Sequence, residues 1–176
     1  MPIEAKVEAV NTALLILRVM LGVIMLAHGI NHIIGGGKIE GTAGWFASLG
    51  MKPGIFHAWL ASITEVAAGA MLVAGLLTPL AAAGVVGVMV VALITNHLKN
   101  GFFIFRPGEG YEYVVSLIAF SFVCALLGPG EWSLDNAFDL MGLAGWSGGL
   151  IALVAGVGGA LALLAVFWRP EKTSAE

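Results

Sequence analysis

Two histidines four residues apart, His28 and His32, close a long apolar run in the stretch "AHGINHIIGGGK". On a helix that spacing puts both rings on one face. Zinc peptidases use the same spacing with a glutamate right after the first histidine as base. Here Gly29 holds that position, so that chemistry is excluded. A metal at His28 or His32 would instead need ligands from other helices, with His97, Glu65 and Glu112 the candidates, and a b-type haem would need His28 or His32 to face His97.

Few other polar side chains interrupt the apolar runs. Glu65, Asn96, His97 and Glu112 fall toward the same side as the histidines, and Arg18 lies toward the opposite end of the first run. Inside a bilayer such groups are costly, so they mark candidate function. His28 and Glu65 are expected at similar depth on facing helices, forming a pocket in which a carboxyl is neutralised or paired. His32, closer to water, reads as an ordinary interfacial histidine. Arg18 either snorkels outward or points inward toward an anion or headgroup. No catalytic residue is assigned.

The elements that carry these residues follow from hydropathy. Of 176 residues, 59% are hydrophobic and 11% charged, far from the balance of a soluble domain. Apolar stretches of bilayer-spanning length at about 12–34, 57–78, 80–99, 111–127 and 148–168 predict an all-α polytopic bundle, a four-helix core plus a fifth helix. The whole chain, 1–176, reads as one integral membrane domain.

Lysines and arginines outside the spans set orientation. One side holds Lys38, Lys52, Lys99, Arg106, Arg169 and Lys172, and the other only Lys6. The expectation is a multi-pass protein of the cytoplasmic (inner) membrane, N-terminus outside and C-terminus in the cytoplasm. Trp146 and Trp168 bracket the last span at about 33 Å of helix, a suitable crossing length. Ala152, Gly156 and Ala160 form a small-residue stripe on it, suited to packing within the chain or to a second copy.

Several functions are excluded. The net charge of −3 and the lack of a basic block argue against nucleic acid. "GGGK" lacks the spacing and the Ser or Thr of a phosphate-binding loop, and no Ser–His–Asp signature exists. A single cysteine, Cys124, rules out a dithiol relay within the chain. Electrons would have to come from a partner or a bound cofactor.

The segments "LLILRVMLGVIMLAHGINHI", "GTAGWFASLGMKPG", "LASITEVAAGAMLVAGLLTPLAA", "NHLKNGFF" and "GEGYEYVVSLIAF" occur in this order. From Leu14 to Asp135 the chain resembles the DoxX family of small bacterial membrane proteins. That resemblance implies a four-helix protein related to the small subunit of an archaeal thiosulfate:quinone oxidoreductase. Some members associate with an oxidoreductase complex in oxidative-stress defence, alongside superoxide dismutase and a sulfurtransferase. The matching positions are Arg18, His28, Gly29, Glu65, His97, Asn100, Gly101, Glu109 and Glu112. The fifth helix departs from the family pattern.

The expected function is a redox-linked membrane subunit with a cytoplasmic-side pocket for a quinone or similar lipophile. His28, Glu65, His97 and Glu112 would handle protons there, with Asn96 and Arg18 as further pocket candidates, and soluble redox enzymes would be partners on the cytoplasmic side. A scaffold that recruits such enzymes without chemistry of its own, and a transporter for a small polar molecule, are the alternatives.

Overall fold

The computed structural model describes residues 2–170, so Lys172 of the expected charge count lies outside the described residues. Those residues form an all-helical bundle. Its long elements are α1 (Ile3–Ile34), α3 (Gly54–Ala74), α4 (Thr78–Asn100) and α7 (Trp146–Phe167), each long and apolar enough to cross a membrane. The apolar α5 (Glu112–Leu127) is shorter, 16 residues or about 24 Å. Two short helices join them, α2 (Lys38–Ser48) and the single turn α6 (Leu134–Ala137). Ile16, Val23, Ile63, Phe120 and Val154 are exposed on the spans, as a lipid-facing surface requires. This is a membrane protein.

Element boundaries depart from hydropathy at three places. The first helix begins at Ile3 rather than near residue 12. Its charged first turns continue the helix beyond the apolar stretch, making it 32 residues and about 48 Å long. The third element ends at Ala74, not at 78, because Gly75 takes the left-handed conformation (φ 66°) that closes a helix. Chain direction reverses at once, and Pro79 sits in the first turn of α4, where a missing N–H costs nothing. Residues 38–48, read as loop, are α2 instead, with Phe46 turned inward onto Met51 and Ala58.

Small residues set the packing. Antiparallel α1 and α3 meet so closely that a Cβ on Gly22 would lie 2.6 Å from the Gly69 carbonyl oxygen. One on Gly29 would lie 2.9 Å from that of Ser62. The last helix packs on α4 through Ala152, Gly156 and Ala160, all buried. That stripe packs within the chain, against Ala83 and Val86 of α4. The end of α7 is tied to the α2–α3 turn: Trp168 Nε1 donates to the Leu49 carbonyl (2.9 Å) and the Arg169 N–H to that of Gly50 (2.8 Å).

The two ends of the bundle differ. At the end formed by the α3–α4 turn and the residue 128–145 connection, Arg18 is 2% exposed. It is neither snorkelling nor aimed at a ligand. Its guanidinium donates to the carbonyls of Leu72 (3.0 Å), Pro129 (3.2 Å), Val73 and Trp132. Leu72 and Val73 are in the last turn of α3, where the unpaired carbonyls and the helix dipole favour a cation. Asp135, outside the spans expected from hydropathy, is 1% exposed and accepts from the N–H groups of Leu77 (2.6 Å) and Thr78 (2.9 Å), capping α4. Asn11 Oδ1 accepts from the Glu131 N–H (3.0 Å). We call this the latch end, and the opposite one the pocket end.

Candidate functional site

At the pocket end a cavity of about 550 Å³ lies against one face of α3. His57, Leu60, Ala61, Thr64 and Glu65 line it, a set spaced i, i+3, i+4, i+7 and i+8 that forms one helical stripe. Its two ionisable members stand at the ends, about 12 Å apart along the axis. The opposite wall is the small-residue face of α4, Ala83, Gly84, Gly87 and Val91, with Gly156 and Gly159 of α7 beside it. Both α4 and α7 carry a π-helical segment here, Leu93–His97 and Ala152–Gly158. The wider turn of such segments commonly accompanies a site.

Glu65 is 3% exposed, and its partner is His32, with Nδ1 and Oε2 3.0 Å apart. The two atoms are at ion-pair distance without an aligned hydrogen bond, and neither has another partner. The expectation that His28 faces Glu65 is corrected. Side chains lean toward the N-terminus of their own helix. Because α1 and α3 are antiparallel, His32 leans into the bundle and Glu65 leans out to meet it. His28 borders the cavity but turns toward α5, its Nε2 3.4 Å from the Tyr113 hydroxyl and the rings 6.2 Å apart. His32 also borders a second, shallower cavity of about 330 Å³ made by Asn31, the Gly35–Lys38 turn and Thr42.

His57, at the edge of a predicted span and not among the sequence candidates, is 2% exposed and lines the main cavity. Phe56 and Phe167 stand edge-on to its ring at 5.1 Å, with Phe46 at 6.3 Å. Neither ring nitrogen closes a hydrogen bond, although the Lys52 backbone is near. The available signal was its place eight residues before Glu65, on the same stripe.

His97 and Asn96 reach the cavity from the π-helical part of α4. His97 Nδ1 donates to the Glu109 carbonyl (2.9 Å) and Nε2 accepts from Asn96 Nδ2 (3.4 Å), one tautomer serving both. Asn100 Nδ2 also donates to the carbonyls of Gly108 and Glu109, so "NHLKN" holds the 101–111 loop, with Glu109 in a left-handed conformation (φ 62°). Glu112 is drawn into that loop, its Oε1 accepting from the Ile104 N–H (3.0 Å), and it does not line the cavity. Arg18 is at the latch end. The structure thus brings together His28, His32, Glu65, Asn96 and His97, adds His57, and leaves out Arg18 and Glu112. Among the described residues no three His, Cys, Asp or Glu side chains converge as a metal would need.

The cavity offers apolar walls and, at each end of the α3 stripe, buried nitrogen or oxygen atoms without hydrogen-bond partners. Buried polar groups are normally satisfied, so these atoms are suited to a ligand with hydrogen-bonding groups on an apolar body. The protein-family model DoxX matches residues 13–98, which span α1 to the His97 region and include every cavity residue named on α1 and α3. No curated protein and no solved structure matches the chain.

Proposed function

We propose, from the match of residues 13–98 to the DoxX family model and from the four helices long and apolar enough to cross a membrane, that the chain is a redox-linked membrane subunit whose pocket end binds a quinone. The observation that carries this reading is the buried Glu65 carboxylate, opposed only by His32, on the wall of an apolar cavity of about 550 Å³. A bound quinone would supply two-electron chemistry coupled to proton uptake. Its reduction to a quinol would take two electrons from a soluble donor and two protons; Glu65 and His32 would hold one of those protons, and His57 offers the second hydrogen-bonding contact. Being on both cavities, His32 connects Glu65 to the polar turn at Gly35–Lys38 and so to water. His28 with Tyr113 closes the α1–α5 side.

We favour a quinone over haem because His28, His32 and His97 are each engaged, with Tyr113, Glu65, and the Glu109 carbonyl with Asn96. Orientation belongs to the same reading. Lys38, Lys52, Lys99, Arg106 and Arg169 are at the pocket end and Lys6 at the other, which makes the pocket end cytoplasmic in the inner membrane. Soluble donors would then reach it from the cytoplasm.

The test is equilibrium titration of the purified protein in lipid nanodiscs with a short-chain quinone, followed by quinone analysis of its extracted lipids. Saturable binding at one site, weakened about tenfold or more in Glu65→Gln, is expected. Binding absent from the wild type, or indifferent to Glu65→Gln, would end the proposal. A Soret band in the purified protein would replace quinone with haem.

A further inference from the structure

Besides His28 on the α1–α5 side, four residues that line the cavity face outward on the long helices: Leu60 (37% exposed), Leu80 (52% exposed), and Ala155 and Gly159 at mid-span of α7. In this molecule an outward-facing residue at mid-span meets lipid rather than water. They mark an opening between α3 and α7, floored by Ala83, Gly84 and Gly87 of α4. Along α4 the lining runs from Leu80 to His97, about 25 Å, nearly the whole hydrocarbon thickness. The polar groups are confined to one part of it, from Glu65 toward His57 and His97. From the level of Glu65 to Leu80 the wall on α4 is Leu80, Ala83 and Gly84, without a polar side chain.

We propose that the cavity is a lateral portal, loaded from the bilayer between α3 and α7, and that its occupant is an amphiphile with one long apolar tail. This deepens the quinone reading and rests on it for the head. The head lies between Glu65 and His57, beside Gly159, and the tail passes Ala155 toward Leu80. That is the orientation a lipid-soluble molecule has in the leaflet, head toward the interface and tail toward the midplane. One feature points to an occupant beyond the small-residue wall: on the cavity lining, His57, 2% exposed, has neither ring nitrogen hydrogen-bonded, and Glu65, 3% exposed, has only the misaligned His32 opposite it. A water-soluble substrate would have no use for an opening onto lipid.

Ala155 makes the test clean. It is exposed, lines the cavity and lies on the tail side of Glu65, so Ala155→Leu narrows the portal there while keeping a strong helix former. Gly158, exposed but not on the cavity, provides the control Gly158→Leu. Wild type and both variants in nanodiscs are titrated with a polyprenyl-tailed benzoquinone and with its tail-free methyl analogue. Ala155→Leu is expected to weaken the tailed ligand about tenfold, leave the tail-free ligand within about twofold, and differ from Gly158→Leu, which changes neither. Equal loss for both ligands, or no loss for either, overturns the portal; the second result would mean that bulk lipid alone fills the groove. If the tail-free ligand does not bind wild type while the tailed one binds in an Ala155-dependent way, the portal stands and the head assignment falls. Binding of neither ligand to wild type overturns both.

Discussion

The two ends of the bundle bury comparable polar groups and treat them in opposite ways. At the latch end Arg18 reaches four carbonyls and both carboxylate oxygens of Asp135 accept backbone N–H groups. At the pocket end Glu65 faces one misaligned histidine and His57 makes no hydrogen bond, both beside open volume. Satisfied buried charge holds connections in place, here the α3–α4 turn and the residue 128–145 segment. Unsatisfied buried polar groups cost stability and persist where a ligand completes them. A functional site and a structural joint are thus told apart less by which residues are present than by whether their bonding capacity is filled.

Substitutions can break this contrast, and the largest effect belongs to the latch. Arg18→Ala leaves four buried carbonyls without their donor and should cost about 3–5 kcal/mol, read as loss of folded protein on thermal or denaturant unfolding. A cost below about 1 kcal/mol would mean that Arg18 is not the joint described. Asp135→Ala removes the cap of α4 and should cost about 1–3 kcal/mol in the same assay. Water filling the gap without loss of stability would argue that the cap is incidental.

At the pocket end the sign should change. Glu65→Gln removes a buried charge with a single poor partner, so unfolding stability is expected to stay within about 1 kcal/mol of wild type or rise, while quinone binding falls. A destabilisation as large as that of Arg18→Ala would make Glu65 a second structural joint. His57→Phe extends an existing aromatic cluster and gives up no hydrogen bond, so its stability effect should be smallest, about 1 kcal/mol or less. A larger loss would indicate that the nearby Lys52 carbonyl holds the ring in place.

Much of this was legible in the sequence, and the gaps have physical causes. Hydropathy located the spans, because a bilayer imposes length and apolarity on a helix. It misplaced the start of α1 and missed α2, because charged turns outside lipid and a glycine-bearing helix of 11 residues carry no hydropathy signal. Glu65 stood out as a carboxylate in an apolar run, and its cavity setting agrees with that prominence. Its partner did not stand out. Depth counted along the chain favours His28, whereas the lean of side chains in antiparallel helices selects His32. Arg18 was equally conspicuous, but nothing local tells a ligand-facing arginine from one closed by carbonyls 54 to 114 residues away. Asp135 looked like a loop acid for the same reason: its partners, Leu77 and Thr78, are distant in sequence.

The most direct measurement is redox-induced infrared difference spectroscopy of the quinone-loaded protein in nanodiscs. The account predicts a carboxyl C=O band that changes when the quinone is reduced, is absent in Glu65→Gln, and shifts in His32→Gln. A difference spectrum with no carboxyl band, or one that survives in Glu65→Gln, would contradict the claim that the unsatisfied pocket-end pair takes part in the redox step.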